Sequence, residues 1–124
     1  MGRKMDEHKF IGQHVMAELY NIDSNKINDN NLILKALNVG IEKSGATCEN
    51  ILKKEFEPQG FSAIALLSES HASLHTYPEK KAMFVDAFTC GSKCKPYLIV
   101  EELMNQLDAN ETNVKIVRRG NNDL

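Results

Sequence analysis

The sequence predicts an α+β domain in which helices cover one face of an antiparallel β-sheet, a two-layer sandwich. Three observations lead to this class. Apolar residues alternate along several short segments, two segments have helical spacing, and a turn signal separates two of the apolar runs. The chain has 124 residues, which is an ordinary size for one domain, and we expect a single domain over residues 1–124.

The first half of the chain predicts a strand, a helix and a second strand. Residues 14–20 alternate, with Val15, Ala17 and Leu19 on one face, as a half-buried strand does. A helix is predicted to begin at Asp29 or Asn30 and to end at Ser44-Gly45. Its apolar positions follow helical spacing: Ile33, Ala36, Leu37, Gly40 and Ile41. Residues 46–56 form the second predicted strand.

The middle of the chain predicts three more strands. Residues 57–60, Glu-Pro-Gln-Gly, are a turn signal between two apolar runs, and they predict a β-hairpin. Residues 61–67 are the most apolar stretch, and we expect a central, buried strand there. Alternation over 73–77 predicts the next strand, which Pro78 ends. Residues 83–88 are a further strand candidate.

The last part of the chain predicts a second helix and a closing strand. Pro96 suits the first position of a helix, and residues 114–117 predict the final strand. The apolar stripe of that helix consists of Val100, Leu103, Met104 and Leu107. Helices on one face leave the other face of the sheet uncovered. Because apolar residues occupy both faces of the strand over 83–88, we expect a second sheet from an identical chain to cover it, giving a homodimer.

Composition excludes several classes of function. The net charge is −2 and no basic stripe occurs, so nucleic acid is not an expected partner. No apolar run reaches membrane-spanning length, and no apolar segment of a signal peptide follows the basic residues Met1–Met5. The 3 cysteines cannot all pair with one another. We therefore expect a cytoplasmic protein with reduced thiols.

A serine and a histidine carry the most informative chemistry. Ser70 follows Glu69 where a buried strand gives way to a turn, and His75 lies five residues on. A serine hydroxyl can attack the preceding carbonyl, and loss of the α-proton to a base then splits the chain and leaves a pyruvoyl group. His75 is close enough in sequence to reach back across a turn. The alternatives are a simple turn serine and a partly buried strand histidine.

Other reactive side chains have weaker signals. Cys90 follows an apolar strand and could donate a proton, although a lone cysteine is more often buried and inert. Glu79 could be a solvated loop carboxylate. His71 and His75 lie too far apart on a strand to ligate one ion easily, and Cys90 and Cys94 lack a second pair of ligands. We therefore predict no metal site, and no role for Cys48 beyond packing or surface.

Three segments together resemble the short bacterial and archaeal type of S-adenosylmethionine decarboxylase. They are Ser68-Glu69-Ser70-His71, His75-Thr76-Tyr77-Pro78-Glu79 and Phe88-Thr89-Cys90-Gly91, and the similarity extends from Ile11 to about Arg119. The resemblance implies a pyruvoyl-dependent enzyme of polyamine and spermidine synthesis that is made as a proenzyme. It also implies a dimer whose two sheets pack face to face, an αββα arrangement.

The resemblance assigns roles residue by residue. The chain would split between Glu69 and Ser70 into residues 1–69 and 70–124. Ser70 would become the pyruvoyl group, the cofactor that forms a Schiff base with S-adenosylmethionine. The remaining roles fall on these residues: His75 as the processing base, Cys90 as the catalytic proton donor, Ser62 as a positioning residue, Phe56 as the ring that stacks on adenine, Glu79 as the carboxylate for the ribose, and Tyr77 in the substrate site.

Two departures from the family leave the substrate open. Tyr77 stands where Trp is usual, and Lys80-Lys81-Ala82 replaces an aromatic-Gly-aromatic stretch. A shift to arginine or ornithine is one alternative, although Glu79 beside two lysines is a poor site for another cation. A relative that never processes itself and only binds a ligand or regulates a partner is the other alternative.

Overall fold

The computed structural model describes residues 10–121 and residue 123; the N-terminal segment discussed above lies outside them. The described residues form a six-stranded antiparallel sheet with strand order β2-β3-β4-β5-β1-β6, which confirms the predicted α+β class. The elements are β1 (Ile11–Tyr20), α1 (Ser24–Ile27), α2 (Asn30–Ser44), β2 (Cys48–Glu55), β3 (Phe61–Leu67), β4 (Ser70–Tyr77), a 3₁₀ turn (Pro78–Lys80), β5 (Ala82–Cys90), α3 (Tyr97–Leu107) and β6 (Glu111–Gly120).

Helix α2 begins and ends as the sequence predicts. Asp29 is the N-cap, and its carboxylate accepts a hydrogen bond of 3.0 Å from the backbone N–H of Leu32. Gly45 ends the helix with φ of 89°, a left-handed conformation that glycine adopts without the steric cost of a Cβ. The predicted apolar positions are all buried in the core.

Helix α3 begins one residue later than predicted. Pro96 is the N-cap rather than the first helical residue, and Asp108 is the C-cap. The helix packs closely on α2, because Gly40 lies against the backbone of Ile99. A 2.8 Å ion pair between Lys43 and Glu102 joins the two helices at their rim.

Strand β3 is not buried on both faces, which corrects the prediction of a fully buried central strand. Its residues alternate: Phe61, Ala63, Ala65 and Leu67 are buried, whereas Ile64 and Leu66 are 50% and 58% exposed. The physical reason is that helices cover only one face of the sheet. Side chains on alternate residues therefore meet the core or the uncovered face in turn.

The uncovered face, which we call the open face, mixes apolar and charged side chains. The strand register aligns them in rows across the sheet. One row contains Leu66, His71, Phe88, His14 and Val117. The next contains Ile64, Ser73, Asp86, Met16 and Lys115. Among the residues described, no helix combines the length and apolar character needed to cross a bilayer.

We predict that Gly40→Ala destabilises the fold. A Cβ at this position would lie 2.9 Å from the Ile99 Cα and 3.2 Å from its carbonyl oxygen, both backbone atoms. Overpacking of this kind costs about 1–3 kcal/mol, which exceeds the gain of about 1 kcal/mol from helix propensity. Thermal unfolding should show a melting temperature lowered by a few degrees. Lys35→Ala, at an exposed position of α2, is the control and should leave it unchanged.

Candidate functional site

The Glu69–Ser70 peptide lies in a tight turn between β3 and β4. Leu67 and Ser70 are paired across the hairpin, so Ser68 and Glu69 alone form the turn. The Ser68 hydroxyl donates a 2.5 Å hydrogen bond to Glu49, and its N–H donates to the Thr47 carbonyl at 2.9 Å. Glu69 has φ of 59°, a left-handed conformation that is uncommon for a non-glycine residue and often occurs at functional sites.

Ser70 and Cys90 lie at the same end of the sheet. Ser70 is the first residue of β4 and is buried on the helix-facing side. Cys90 is the last residue of β5, and continuing the β4–β5 register beyond His71–Phe88 brings it opposite Glu69. Burial raises the pKa of the nearby Cys94 thiol, and Cys90 adds to that effect. We call Glu69, Ser70 and Cys90 the cleavage end, because the sequence predicts that the chain splits there.

Ser62 and His75 form a pair on the open face at the opposite end of these strands. They are register partners between β3 and β4, and Ser62 Oγ lies 2.7 Å from His75 Nδ1. The ring of Tyr77 lies 4.9 Å from that of Phe84, the β5 partner of His75. The structure therefore brings together His75 and Ser62, to which the resemblance assigns the roles of processing base and positioning residue.

Phe56 and Glu79 flank the same end. Phe56 directly follows β2, is half-exposed, and donates its N–H to the Gly60 carbonyl at 2.9 Å. Glu79 lies in the 3₁₀ turn that follows Tyr77. The ammonium group of Lys54 is 6.0 Å from the centre of the Phe56 ring. We call Phe56, Ser62, His75, Tyr77 and Glu79 the histidine end.

The expectation that His75 reaches back to Ser70 within one chain is wrong. Both residues belong to β4, so the segment between them is an extended strand and not a turn. Five residues of strand span about 16 Å, and an odd spacing turns the two side chains to opposite faces. Ser70 accordingly faces the helices, whereas His75 is exposed on the open face.

A polar cluster at the centre of the open face is the feature that sequence reasoning missed. His14 Nε2 and His71 Nε2 lie 2.7 Å and 3.2 Å from the same oxygen of Asp86, and the Ser73 hydroxyl donates to its other oxygen. The imidazole rings of the two histidines meet edge to face at 5.6 Å. These residues come from β1, β4 and β5, so only the strand register could have revealed their proximity.

Asp86 is held in its ionised form by this cluster. Burial opposes ionisation, but the hydrogen bonds from Ser73, His14 and His71 outweigh it, and the pKa of the Asp86 carboxyl lies below its ordinary value. Arg119 lies nearby, with a guanidinium nitrogen 3.4 Å from His14 Nδ1.

The cluster is also the place where a metal ion could be held. The candidate ligand atoms of His14, His71 and Asp86 all lie within 4.8 Å of one another. Their convergence is already explained by the hydrogen bonds they make to each other, and the Arg119 guanidinium would repel a cation. The sequence predicted no metal site, and elemental analysis of the purified protein tests that prediction.

Comparison with known proteins shows the family to which the chain is similar. Residues 13–120 match the family model described as S-adenosylmethionine decarboxylase. An S-adenosylmethionine decarboxylase proenzyme 2 of Bacillus cereus is 35% identical over 114 residues, 92% of this chain and 93% of that protein. The S-adenosylmethionine decarboxylase proenzyme of Prochlorococcus marinus (strain MIT 9313) is 38% identical over 109 residues, 88% of this chain and 87% of that protein.

A solved structure agrees with the sequence relatives. The crystal structure of the adenosylmethionine decarboxylase from Aquifex aeolicus VF5 superimposes with a TM-score of 0.82 at 30% identity, covering 90% of this chain and 92% of that one. A Trypanosoma brucei AdoMetDC monomer shares the fold at 17% identity, with a TM-score of 0.60.

We predict that Asp86→Asn makes stability less dependent on acid pH. Because the pKa of Asp86 is lower in the folded state than in the unfolded chain, its contribution is complete above the unfolded pKa, about 3.9, and is lost as pH falls through the folded pKa. The variant should lose about 1–3 kcal/mol at pH 7. Urea unfolding should show that this difference shrinks below about pH 4.

The control for this prediction is Glu42→Gln, which removes a carboxylate from the exposed side of α2. If the difference in unfolding free energy between wild type and Asp86→Asn stays the same from pH 7 to pH 3, the cluster does not hold Asp86 in its ionised form.

Proposed function

The chain belongs to the S-adenosylmethionine decarboxylase family, and from this premise we propose that it decarboxylates S-adenosylmethionine as a carboxy-lyase of polyamine synthesis. It does so after cutting itself between Glu69 and Ser70. The observation that carries the proposal is the match of nearly the whole chain to proteins named as proenzymes of this activity. Ser70, His75 and Cys90, to which the resemblance assigns processing and catalysis, are all present in this chain.

The self-cleavage needs only the chain and one water molecule. The Ser70 hydroxyl oxygen adds to the Glu69 carbonyl carbon, the amide C–N bond breaks, and the hydroxyl proton passes to the nitrogen, leaving an ester. A base removes the Ser70 α-proton, and the ester C–O bond breaks to release Glu69 as a carboxylate. The dehydroalanine that remains tautomerises and takes up water, which releases ammonia and leaves a pyruvoyl group at the head of residues 70–124.

The residues around Ser70 fit this group. Ser70 is buried, so a carbonyl formed there would be shielded from water, and Cys90 ends the neighbouring strand at the same level. The left-handed Glu69 exposes the bond to be cut at the tip of a two-residue turn. The pyruvoyl group supplies a carbonyl that accepts the electron pair as carbon dioxide leaves. Cys90 then holds the proton that the α-carbon of the product takes up.

The second half of the site comes from another copy of this chain. The Ser62–His75 pair is on the open face, about 16 Å along β4 from Ser70, so it cannot serve Ser70 of its own chain. Consider a two-fold axis that lies between two open faces and runs across the strands. It sets each β4 against the partner's β4 in the reverse direction, so that the histidine end of one chain lies over the Glu69–Ser70 backbone of the other. There the base is needed for the Ser70 α-proton, and not for the Ser70 side chain that faces the helices.

The open face is suited to such packing. Apolar side chains that are substantially exposed lie on it, including Ile64, Leu66 and Phe84. Covering them removes apolar surface from water, which stabilises association. The ionised cluster around Asp86 lies among them with its hydrogen bonds already made, so its burial would leave few polar groups unpaired.

The histidine end has the groups that a nucleoside needs. Phe56 and Tyr77 offer exposed rings for adenine to stack on, and Glu79 offers a carboxylate that can accept hydrogen bonds from ribose hydroxyls. Lys80 and Lys81 follow Glu79 directly, which makes this carboxylate a poor partner for the guanidinium of arginine or the ammonium of ornithine. The two rings and the Glu79 carboxylate therefore favour a substrate with a nucleoside, S-adenosylmethionine, over arginine and ornithine.

The substrate is tested by release of carbon dioxide. The purified, processed protein should decarboxylate S-adenosylmethionine, with arginine and ornithine turned over at least about 100-fold more slowly in kcat/KM, a difference of about 2.7 kcal/mol. Glu79→Gln should raise KM for S-adenosylmethionine by about tenfold, the value of one charge-assisted hydrogen bond. Preferential turnover of arginine or ornithine would replace the proposed substrate and keep the pyruvoyl chemistry.

The two-copy site is tested by mixing chains. Ser70→Ala and His75→Ala variants, each with its own tag, are produced alone and together. Neither should split alone, since one lacks the attacking serine and the other the base. In the mixed dimer, the intact Ser70 of the His75→Ala chain meets the intact His75 of the Ser70→Ala chain, and the His75→Ala chain alone should split.

A matched control removes the last histidine from the mixture. The doubly substituted chain, Ser70→Ala with His75→Ala, combined with the His75→Ala chain should give no fragments. If the His75→Ala chain stays whole in the first mixture although mixed dimers form, the base does not come from the partner.

A further inference from the structure

A buried hydroxyl next to the cleavage end has no partner. Thr89 is 0% exposed, and among residues 10–121 and 123 its Oγ1 is the buried side-chain polar atom that makes no hydrogen bond. The other buried threonine, Thr76, is paired, because its hydroxyl accepts the Phe61 N–H at 2.8 Å. An unpaired buried hydroxyl destabilises the fold, and a valine would fill the same space and suit a strand better.

Thr89 lies beside Ser70. The β4–β5 register ends at His71–Phe88, and one further step sets Thr89 directly across from Ser70. Both residues are buried on the helix-facing side, so their side chains point the same way. Directly opposed residues in an antiparallel pair have Cβ atoms about 5 Å apart, which allows their hydroxyls to meet after a rotation of one side chain.

The backbone at Thr89 is closely packed between neighbouring strands. Strand β5 lies between β4 and β1, and Thr89 pairs with Gln13 on the second side. Gly12 permits a very close approach there, since a Cβ on Gly12 would lie 2.6 Å from the Thr89 carbonyl oxygen. The pairing and this close contact restrict movement of the strand, so Ser70 is the group that turns to meet the hydroxyl.

We propose that Thr89 is a positioning residue for self-cleavage, an inference that rests on the proposed function. Its hydroxyl makes its missing hydrogen bond to the Ser70 oxygen when that oxygen turns towards the Glu69 carbonyl carbon. The bond holds the oxygen in line for attack and persists to the ester that forms. Thr89 exchanges no proton, and its effect is on the geometry of Ser70 alone.

The test compares Thr89→Val with Thr76→Val. Thr89→Val should slow the first-order appearance of the two fragments by about tenfold or more, the value of one hydrogen bond, while the melting temperature stays equal to wild type or rises. Thr76→Val, which removes a satisfied hydrogen bond to the Phe61 N–H, is the control for stability and should lower the melting temperature.

A second comparison uses Thr89→Ser and Thr89→Ala, whose side chains differ by one oxygen atom. Its result does not depend on whether Thr89→Val folds. Thr89→Ser should cleave at a rate within about threefold of wild type, and Thr89→Ala should be slower than Thr89→Ser by about tenfold. Equal rates for Ser and Ala, or a wild-type rate for Thr89→Val, would overturn the assignment. A wild-type chain that never splits would instead overturn the proposed function, so the two failures are distinguishable.

Discussion

The extended backbone of β4 is the constraint on which the rest of the site depends. A strand advances by more than 3 Å per residue and turns successive side chains to opposite faces. Ser70 at its first residue and His75 at its sixth are consequently separated both in distance and in direction. The strand register pairs His75 with Ser62 on β3, and one step beyond the β4–β5 register it sets Ser70 opposite Thr89 on β5. The proposal that a second copy completes the site rests on this geometry.

Because the helices cover only one face of the sheet, the other face is left free to bind a second copy. Helices α2 and α3 bury one side, and the Gly40–Ile99 contact allows them to lie close together over it. The open face is left with apolar side chains around an ionised carboxylate that two histidines and a serine hold. Such a face can be buried against a second copy without leaving an unpaired charge, because the Asp86 carboxylate already has its hydrogen-bond partners.

The sequence predicts what depends on local patterns and misses what depends on register. The strand and helix spacings, the Asp29 cap and the Gly45 end follow from neighbouring residues and are confirmed. The burial of β3 was overestimated, since a run of apolar residues does not tell whether one face or both are covered. The cluster of His14, His71 and Asp86 and the unpaired hydroxyl of Thr89 come from strands far apart in sequence. Their proximity could not be predicted without knowing which strands pair.

The most direct test of self-cleavage at Glu69–Ser70 is the mass of the purified protein under denaturing conditions. We expect two fragments, residues 1–69 and 70–124, with the second lighter than a peptide that begins with serine by the mass of one ammonia. That deficit is the signature of a pyruvoyl group. A single chain of unchanged mass after prolonged incubation would contradict the proposal that this protein is a pyruvoyl-dependent decarboxylase.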